Sequence, residues 1–232
     1  TGTLLVDGGG SSGMAAGIQH WMERPLWSSW LEVPTYLKEG PPLPFERANE
    51  GVSSDFFYNP QDNPQSLQKA NDFVQWVHHQ EVQAVLQGYD WTSLTNQRLV
   101  DIGGHYGTVL SAIRQEHPDI DCTSLDLPDV IESAPSPPPG VRLKAGNVMD
   151  PSSIPPCDAI LLKHFLDRCM WTEEETVQIL QNCKSALSHG GRVLIAEAVL
   201  PDAIIGAEQH HPTGLYMDAL YMLVGREGQR TK

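Results

Sequence analysis

The chain is short of cations: 15 Lys and Arg face 29 Asp and Glu, a net charge of −14 over 232 residues. That balance argues against sequence-independent binding to nucleic acid, which needs clustered Lys and Arg. Four cysteines, Cys122, Cys157, Cys169 and Cys183, lie far apart without a Cys-x-x-Cys pair. They read as reduced thiols of a cytoplasmic interior, not as a disulfide or zinc framework. No apolar run approaches the ~20 residues that a membrane span requires. The pairs His78-His79 and His210-His211 are adjacent and not four apart, so no metal site is expected. The first residues, Thr1-Gly2-Thr3, lack an initiator Met and read as the start of a fragment, so a missing targeting peptide says nothing of compartment.

What is present is ordinary for a globular protein, 40% hydrophobic and 19% charged residues, in a length that suits one large domain or one and a half. Residues 1–90 read as a helical and irregular lead-in, not a separate compact domain. Two short helices broken at Pro25 are expected over Trp21–Leu31, and a long one over 64–88 with Gly88 as its stop. From Arg98 onward strands and helices alternate. Strands are expected at Leu99–Ile102, Asp121–Leu125, Val141–Ala145, Ala159–Lys163 and Arg192–Ala196. Helices are expected at Thr108–Glu116, Val130–Ser133 and Glu173–Leu187, the last led by Thr172 as cap and three acids in its first turn. Such alternation implies a Rossmann-like α/β parallel sheet with helices on both faces, over residues 91–232. Pro135–Gly140 reads as a stiff connector.

Ligand sites in such sheets lie beyond the carboxyl ends of the strands. The first strand runs into Asp101-Ile102-Gly103-Gly104-His105-Tyr106-Gly107, and the second ends in Asp126-Leu127-Pro128. Glycine backbone approaches a ligand closely and the acid takes ribose hydroxyls. The glycine spacing departs from Gly-x-Gly-x-x-Gly, which favours S-adenosylmethionine over a dinucleotide. On this reading Asp101, Gly103, Gly104 and Gly107 surround the amino-acid end of the cofactor. Asp126 and Leu127 hold the ribose side, and Asn147, Val148 and Met149 frame the adenine.

These motifs, together with Leu162-Lys163-His164 and Gly190-Gly191-Arg192-Val193-Leu194-Ile195-Ala196-Glu197, resemble the class I S-adenosylmethionine-dependent methyltransferases. The closer likeness is to the caffeate and acetylserotonin O-methyltransferases. The resemblance implies that Gly103, Asp126, Asn147, Val148 and Lys163 contact the cofactor, with S-adenosylhomocysteine as product. It further implies a small-molecule substrate and a homodimer formed through an N-terminal winged-helix domain. That domain and two C-terminal strands are both expected to be missing from this chain. Asn147 departs from the usual Asp, yet an amide still reaches the adenine amino group.

The catalytic pattern is broken. The family's base, a His four residues after the Lys, falls on Asp167. Alternation along the strand points His164 away from Lys163. Glu197 matches the first of two acids that steady the base, and Glu227 is displaced from the second. A phenol with pKa near ~10 needs a base at neutral pH, whereas a thioether carries no proton. Loss of the base with Asp167 and Glu197 kept as electrostatic stabilisers resembles the methylthiohydroxybutyrate S-methyltransferases of dimethylsulfoniopropionate synthesis. The alternatives are an O-methyltransferase using His20, His105 or another His as base, and a silent cofactor-binding homologue. Substrate contacts are expected from Tyr106, His164 and Arg168, with walls drawn from Trp21, Trp27, Trp30, Phe56, Phe57 and Tyr58.

Overall fold

The computed structural model describes residues 12–57, 59, 61–134, 136–166, 171–197 and 222–224. The chain divides into two compact units, Thr1–Phe73 with Asp167–Thr172 and Ala198–Lys232, and Val74–Leu166 with Glu173–Glu197. The lead-in therefore clusters with distant stretches of chain, which no local pattern could reveal.

In the first unit, helices α1 (Ser12–Trp21), α2 (Arg24–Ser29), α3 (Val33–Glu39), α4 (Pro44–Ala48) and α5 (Ser54–Phe57) follow one another. The sequence placed a helix break at Pro25; the break instead falls between Trp21 and Arg24, and Pro25 sits in the first turn of α2. That turn needs no proline N–H, so the ring fixes φ there at no hydrogen-bond cost. Leu26, Phe45 and Phe57 form a small core against Trp21 and Val224, and Ser54 Oγ donates to the Val224 carbonyl at 2.8 Å. Helix α6 (Pro64–Gly88) has the predicted bounds. Its early residue Lys69 pairs with Glu23 at 2.7 Å.

In the second unit, five strands pair among the described residues in the order β3-β2-β1-β4-β5. They are β1 (Arg98–Ile102), β2 (Asp121–Asp126), β3 (Val141–Ala145), β4 (Cys157–Lys163) and β5 (Leu187–Ala196), all in parallel register. Each lies within a few residues of its predicted span. The largest difference is β5, which starts at Leu187. There the pairing slips, from Cys157 opposite Leu187 to Ala159 opposite Arg192. The central strands β1, β2 and β4 are buried almost throughout, as strands covered on both faces must be.

Helix α7 (Thr108–Glu116) buries Val109, Leu110 and Ile113. These pack with Leu99, Cys122, Val141, Ala159 and Leu161, and with Val82, Val85 and Leu86 from the end of α6. Helix α8 (Pro128–Glu132) starts two residues before its predicted position, because Pro128 suits a first turn. Helix α9 (Glu173–Ala186) completes the unit. Since the chain builds β1, β2 and β3 outward and then returns to place β4 beside β1, the topological switch lies between β1 and β4. Ligands of such sheets settle there.

Leu161 is 2% exposed at the centre of this core. Leu161→Ala should destabilise the protein by about 2–5 kcal/mol, read as a lower midpoint in urea unfolding at unchanged slope.

Candidate active site

The carboxyl ends of β1, β2 and β3 are laced together by the backbone. Gly103 N–H donates to Leu125 O at 2.8 Å and Gly146 N–H to Asp126 O at 2.9 Å. Gly103 takes φ +74°, a conformation that glycine adopts without penalty. At Gly104 a Cβ would lie 2.5 Å from Ser124 Oγ and 2.7 Å from Asp101 Oδ2, so the turn closes tightly only as glycine. Asp126 ends β2 with its carboxylate accepting from His105 N–H and Leu127 N–H, both at 2.8 Å. Burial raises its pKa and those two amides oppose the rise. Leu127 beside it is 52% exposed, an apolar side chain left open at the rim. After β3, Asn147 is exposed and its Oδ1 accepts from Met149 N–H at 2.9 Å. Val148 is buried. Asn182 of α9 donates to the carbonyls of Val148 and Met149 at 2.8 and 3.2 Å, fixing that loop.

Asp101 is 2% exposed, and burial raises its carboxyl pKa to about 7 against the pull of the Lys163 charge. Tyr106 is 7% exposed, with its hydroxyl 3.1 Å from Ser133 Oγ. It reaches from the glycine turn toward the end of α8; the sequence expectation for it is a substrate contact. The hydroxyl of a Tyr so buried needs a partner, and Ser133 is it.

At the end of β4 the structure corrects the sequence more sharply. His164 does not point away from Lys163, because the strand ends at Lys163 and His164 takes φ +49°. Alternation stops with the strand, and both side chains reach one carboxylate. Glu81 of α6 accepts from Lys163 Nζ at 2.6 Å and lies 2.9 Å from His164 Nε2. His164 Nδ1 lies 3.6 Å from Glu197 Oε2, an ion-pair distance. Glu197 Oε1 accepts from the N–H groups of Phe165 and Leu166 at 2.6 and 2.8 Å, tying down the loop after β4.

The electrostatics follow from this enclosure. Glu197 and Glu81 hold the His164 pKa up to about 9. Burial works against the charge of Glu81, yet hydrogen bonds from His164 and Lys163 bring it down to about 2. The same opposition, with His164 and the two loop amides on the favourable side, lowers Glu197. At neutral pH, then, His164 is an imidazolium with a carboxylate against each ring nitrogen. Protonated, it has no lone pair with which to take a proton from a substrate. Its contribution to folding is present in full below its ordinary value near 6.5 and is lost as pH rises through about 9.

Two further imidazoles stand nearby. His78, one turn before Glu81 on α6, has its pKa lowered to about 3 by burial and by Lys163. His105, in the glycine turn, is lowered to about 4 by burial. Both are neutral at pH 7. His20, in the other unit, is lowered to about 4 by burial; it stacks on Phe57 and lies 3.3 Å from Ser66 Oγ. Of the expected pocket walls, Phe57 and Trp21 serve the small core and Trp27 is 53% exposed. Asp167, Arg168, Tyr58, Glu227, the His210-His211 pair and the Phe56 side chain lie outside the described residues. Among the described residues no cluster could hold a metal ion, and no helix is long and apolar enough to cross a membrane.

Sequence reasoning missed Glu81 and Asn182, and passed over His78 as half of an adjacent pair. A signal existed. His78 and Glu81 interrupt the apolar stripe of Val77, Val82, Val85 and Leu86 on α6, and a charge on a helix face that is otherwise core needs a partner.

A parallel sheet of this order, with a glycine turn after β1, an acid after β2 and a lysine after β4, defines a class I methyltransferase domain. The profile of the O-methyltransferase domain family matches residues 30–232, and the chain belongs to that family. It is 34% identical over 97% of its length to nicotinate N-methyltransferase 1 of Oryza sativa subsp. japonica, and spans 63% of that protein. To nicotinate N-methyltransferase 1 of Arabidopsis thaliana it is 35% identical over 86% of its length, spanning 53% of the relative. Among solved structures, mitomycin 7-O-methyltransferase MmcR superimposes with a TM-score of 0.74 at 25% identity, over 97% of this chain and 63% of the other.

Glu81→Gln removes one of the two carboxylates on His164. The His164 imidazole, followed by its Cε1–H resonance, should titrate near 9 in the wild type and closer to the ordinary ~6.5 in the variant. Unchanged titration would show that Glu81 does not hold the proton.

Proposed function

We propose that this domain binds S-adenosylmethionine across the carboxyl ends of β1 to β4 and transfers its methyl group to an acceptor atom that carries no proton. Support for the cofactor comes from the chain's family and from the site itself: backbone closed at Gly103 and Gly104 where a Cβ would collide, and an acid at the end of β2. Asp101, Gly103, Gly104 and Lys163 would hold the amino-acid end. Asp126 and Leu127 would take the ribose, and Asn147, Val148 and Met149 the adenine. When bound, the cofactor supplies an electrophilic methyl on a sulfonium sulfur.

The observation that carries the acceptor reading is the state of His164. A phenol must lose its proton as it attacks, and a positioned base assists. At the end of β4 the imidazole is instead a cation, paired on both nitrogens at 2.9 and 3.6 Å. His78 and His105 are held so far below neutrality that they are weak bases. A pyridine-type ring nitrogen or a thioether sulfur attacks through a free lone pair, so the site has only to align donor and acceptor and exclude water. Of these two, the ring nitrogen of a small aromatic acid is favoured, because the two plant relatives are named for methylating nicotinate. The thioether acid suggested by the sequence, such as 4-methylthio-2-hydroxybutyrate, makes the same demand on the site and is the second candidate.

Three acceptors in parallel test this: nicotinate, 4-methylthio-2-hydroxybutyrate and caffeate, with S-adenosylhomocysteine measured by mass spectrometry. Turnover is expected with a proton-free acceptor, at a rate flat between pH 7 and 8. It should fall as pH rises through about 9 and His164 loses its proton. Turnover with caffeate alone, rising with pH, would overturn the reading.

A further inference from the structure

Side chains from three places crowd the glycine turn after β1. At Gly104 a Cβ would meet Ser124 and Asp101, which belong to β2 and β1 and are fixed by the pairing of those strands. At Gly103 it would meet the Phe165 ring, 2.5 Å from Cδ2 and 2.8 Å from Cε2. Phe165 lies beyond the end of β4, which closes at Lys163. Of these three side chains the ring alone is carried by a loop, and a loop can move where paired strands cannot.

What holds that loop is one carboxylate. The N–H groups of Phe165 and Leu166 both donate to Glu197 Oε1, at 2.6 and 2.8 Å, so a single charged oxygen fixes two successive peptide groups. The other oxygen lies 3.6 Å from His164 Nδ1. His164 precedes the ring with φ +49°, a conformation that a residue with a Cβ keeps only where its surroundings impose it. The position of the ring is therefore set by Glu197 across a strained hinge. Loss of the two amide bonds would let the His164 backbone relax and carry Phe165 with it. A ligand that comes to lie against the backbone of Gly103 needs the face that this ring covers.

We propose that Phe165 is a gate on the glycine turn: its ring covers Gly103 in the closed position and swings off with the loop after β4 when the methyl donor binds. The proposal rests on the reading of this site as a methyl-donor site. Glu197 is the latch, a positioning residue that acts through the amides of Phe165 and Leu166.

The wild type alone supplies the first test. Nuclear Overhauser contacts between the Phe165 ring protons and the Gly103 α-protons should be present in the free protein and lost at saturation with S-adenosylhomocysteine. Stopped-flow association of the same ligand supplies the second. If the gate stands open about one-tenth of the time, removing the ring speeds association by about tenfold. Phe165→Ala should show that gain. Glu197→Gln, which weakens the latch and keeps the ring, should show part of it. Ring contacts that persist at saturation, equal rates in the three proteins, or slower binding by Phe165→Ala would overturn the gate and leave the methyl-donor reading standing. Should none of the three proteins bind the ligand, that reading falls and the gate falls with it.

Discussion

One carboxylate organises the reactive end of this sheet. Glu81 takes the ammonium of Lys163 on one oxygen and the imidazole of His164 on the other. Two cations side by side at the end of a buried strand repel each other and are poorly solvated. A carboxylate between them turns that liability into a fixed array. Everything around the array adjusts to it. Glu197 covers the far side of His164 and spends its other oxygen on the N–H groups of Phe165 and Leu166. The loop after β4 thereby acquires one conformation, although its first residue sits in the left-handed region. His78 is forced to remain neutral in the same neighbourhood.

This arrangement explains how a domain of the O-methyltransferase family can carry histidine next to its lysine without using it as a base. The proton affinity of an imidazole is set by what faces its two nitrogens. A carboxylate on one nitrogen alone steadies a base, while carboxylates on both hold a cation. The side chain is the same in the two cases, and the chemistry open to the site is different. A proton-free acceptor is the class of substrate for which that difference does no harm.

The sheet was legible in the sequence because short strand-forming segments alternate with helical ones from Arg98 onward, the first leading into a glycine and the second ending in an acid. Leu99–Ile102 runs straight into the glycine turn, and that turn with Asp126 marked the ligand end of the fold. The clamp was not legible. Glu81 meets Lys163 across 82 residues of chain, and pattern reading has no access to such distances. The misjudged direction of His164 has a more local cause: alternation is a property of strands, and it was applied one residue past the end of one. The contact between Tyr106 and Ser133, just past the end of α8, was likewise beyond local pattern reading, since 27 residues separate them. Pro25 was taken as a breaker where it begins a helix.

Helix α6 carries a constraint on chain length as well as on residue type. Val82, Val85 and Leu86 lock its later turns into the core, and Glu81 projects from the turn just before them. Each residue advances a helix by about 100°. One residue inserted between Glu81 and that anchor would swing the carboxylate by more than a quarter turn away from both cations, with every side chain still present. Insertions upstream of His78 carry no such penalty for the Glu81 pairings. Homologous chains that keep this clamp should therefore show no gaps between Glu81 and Leu86, a signature readable from gap positions without any comparison of side chains.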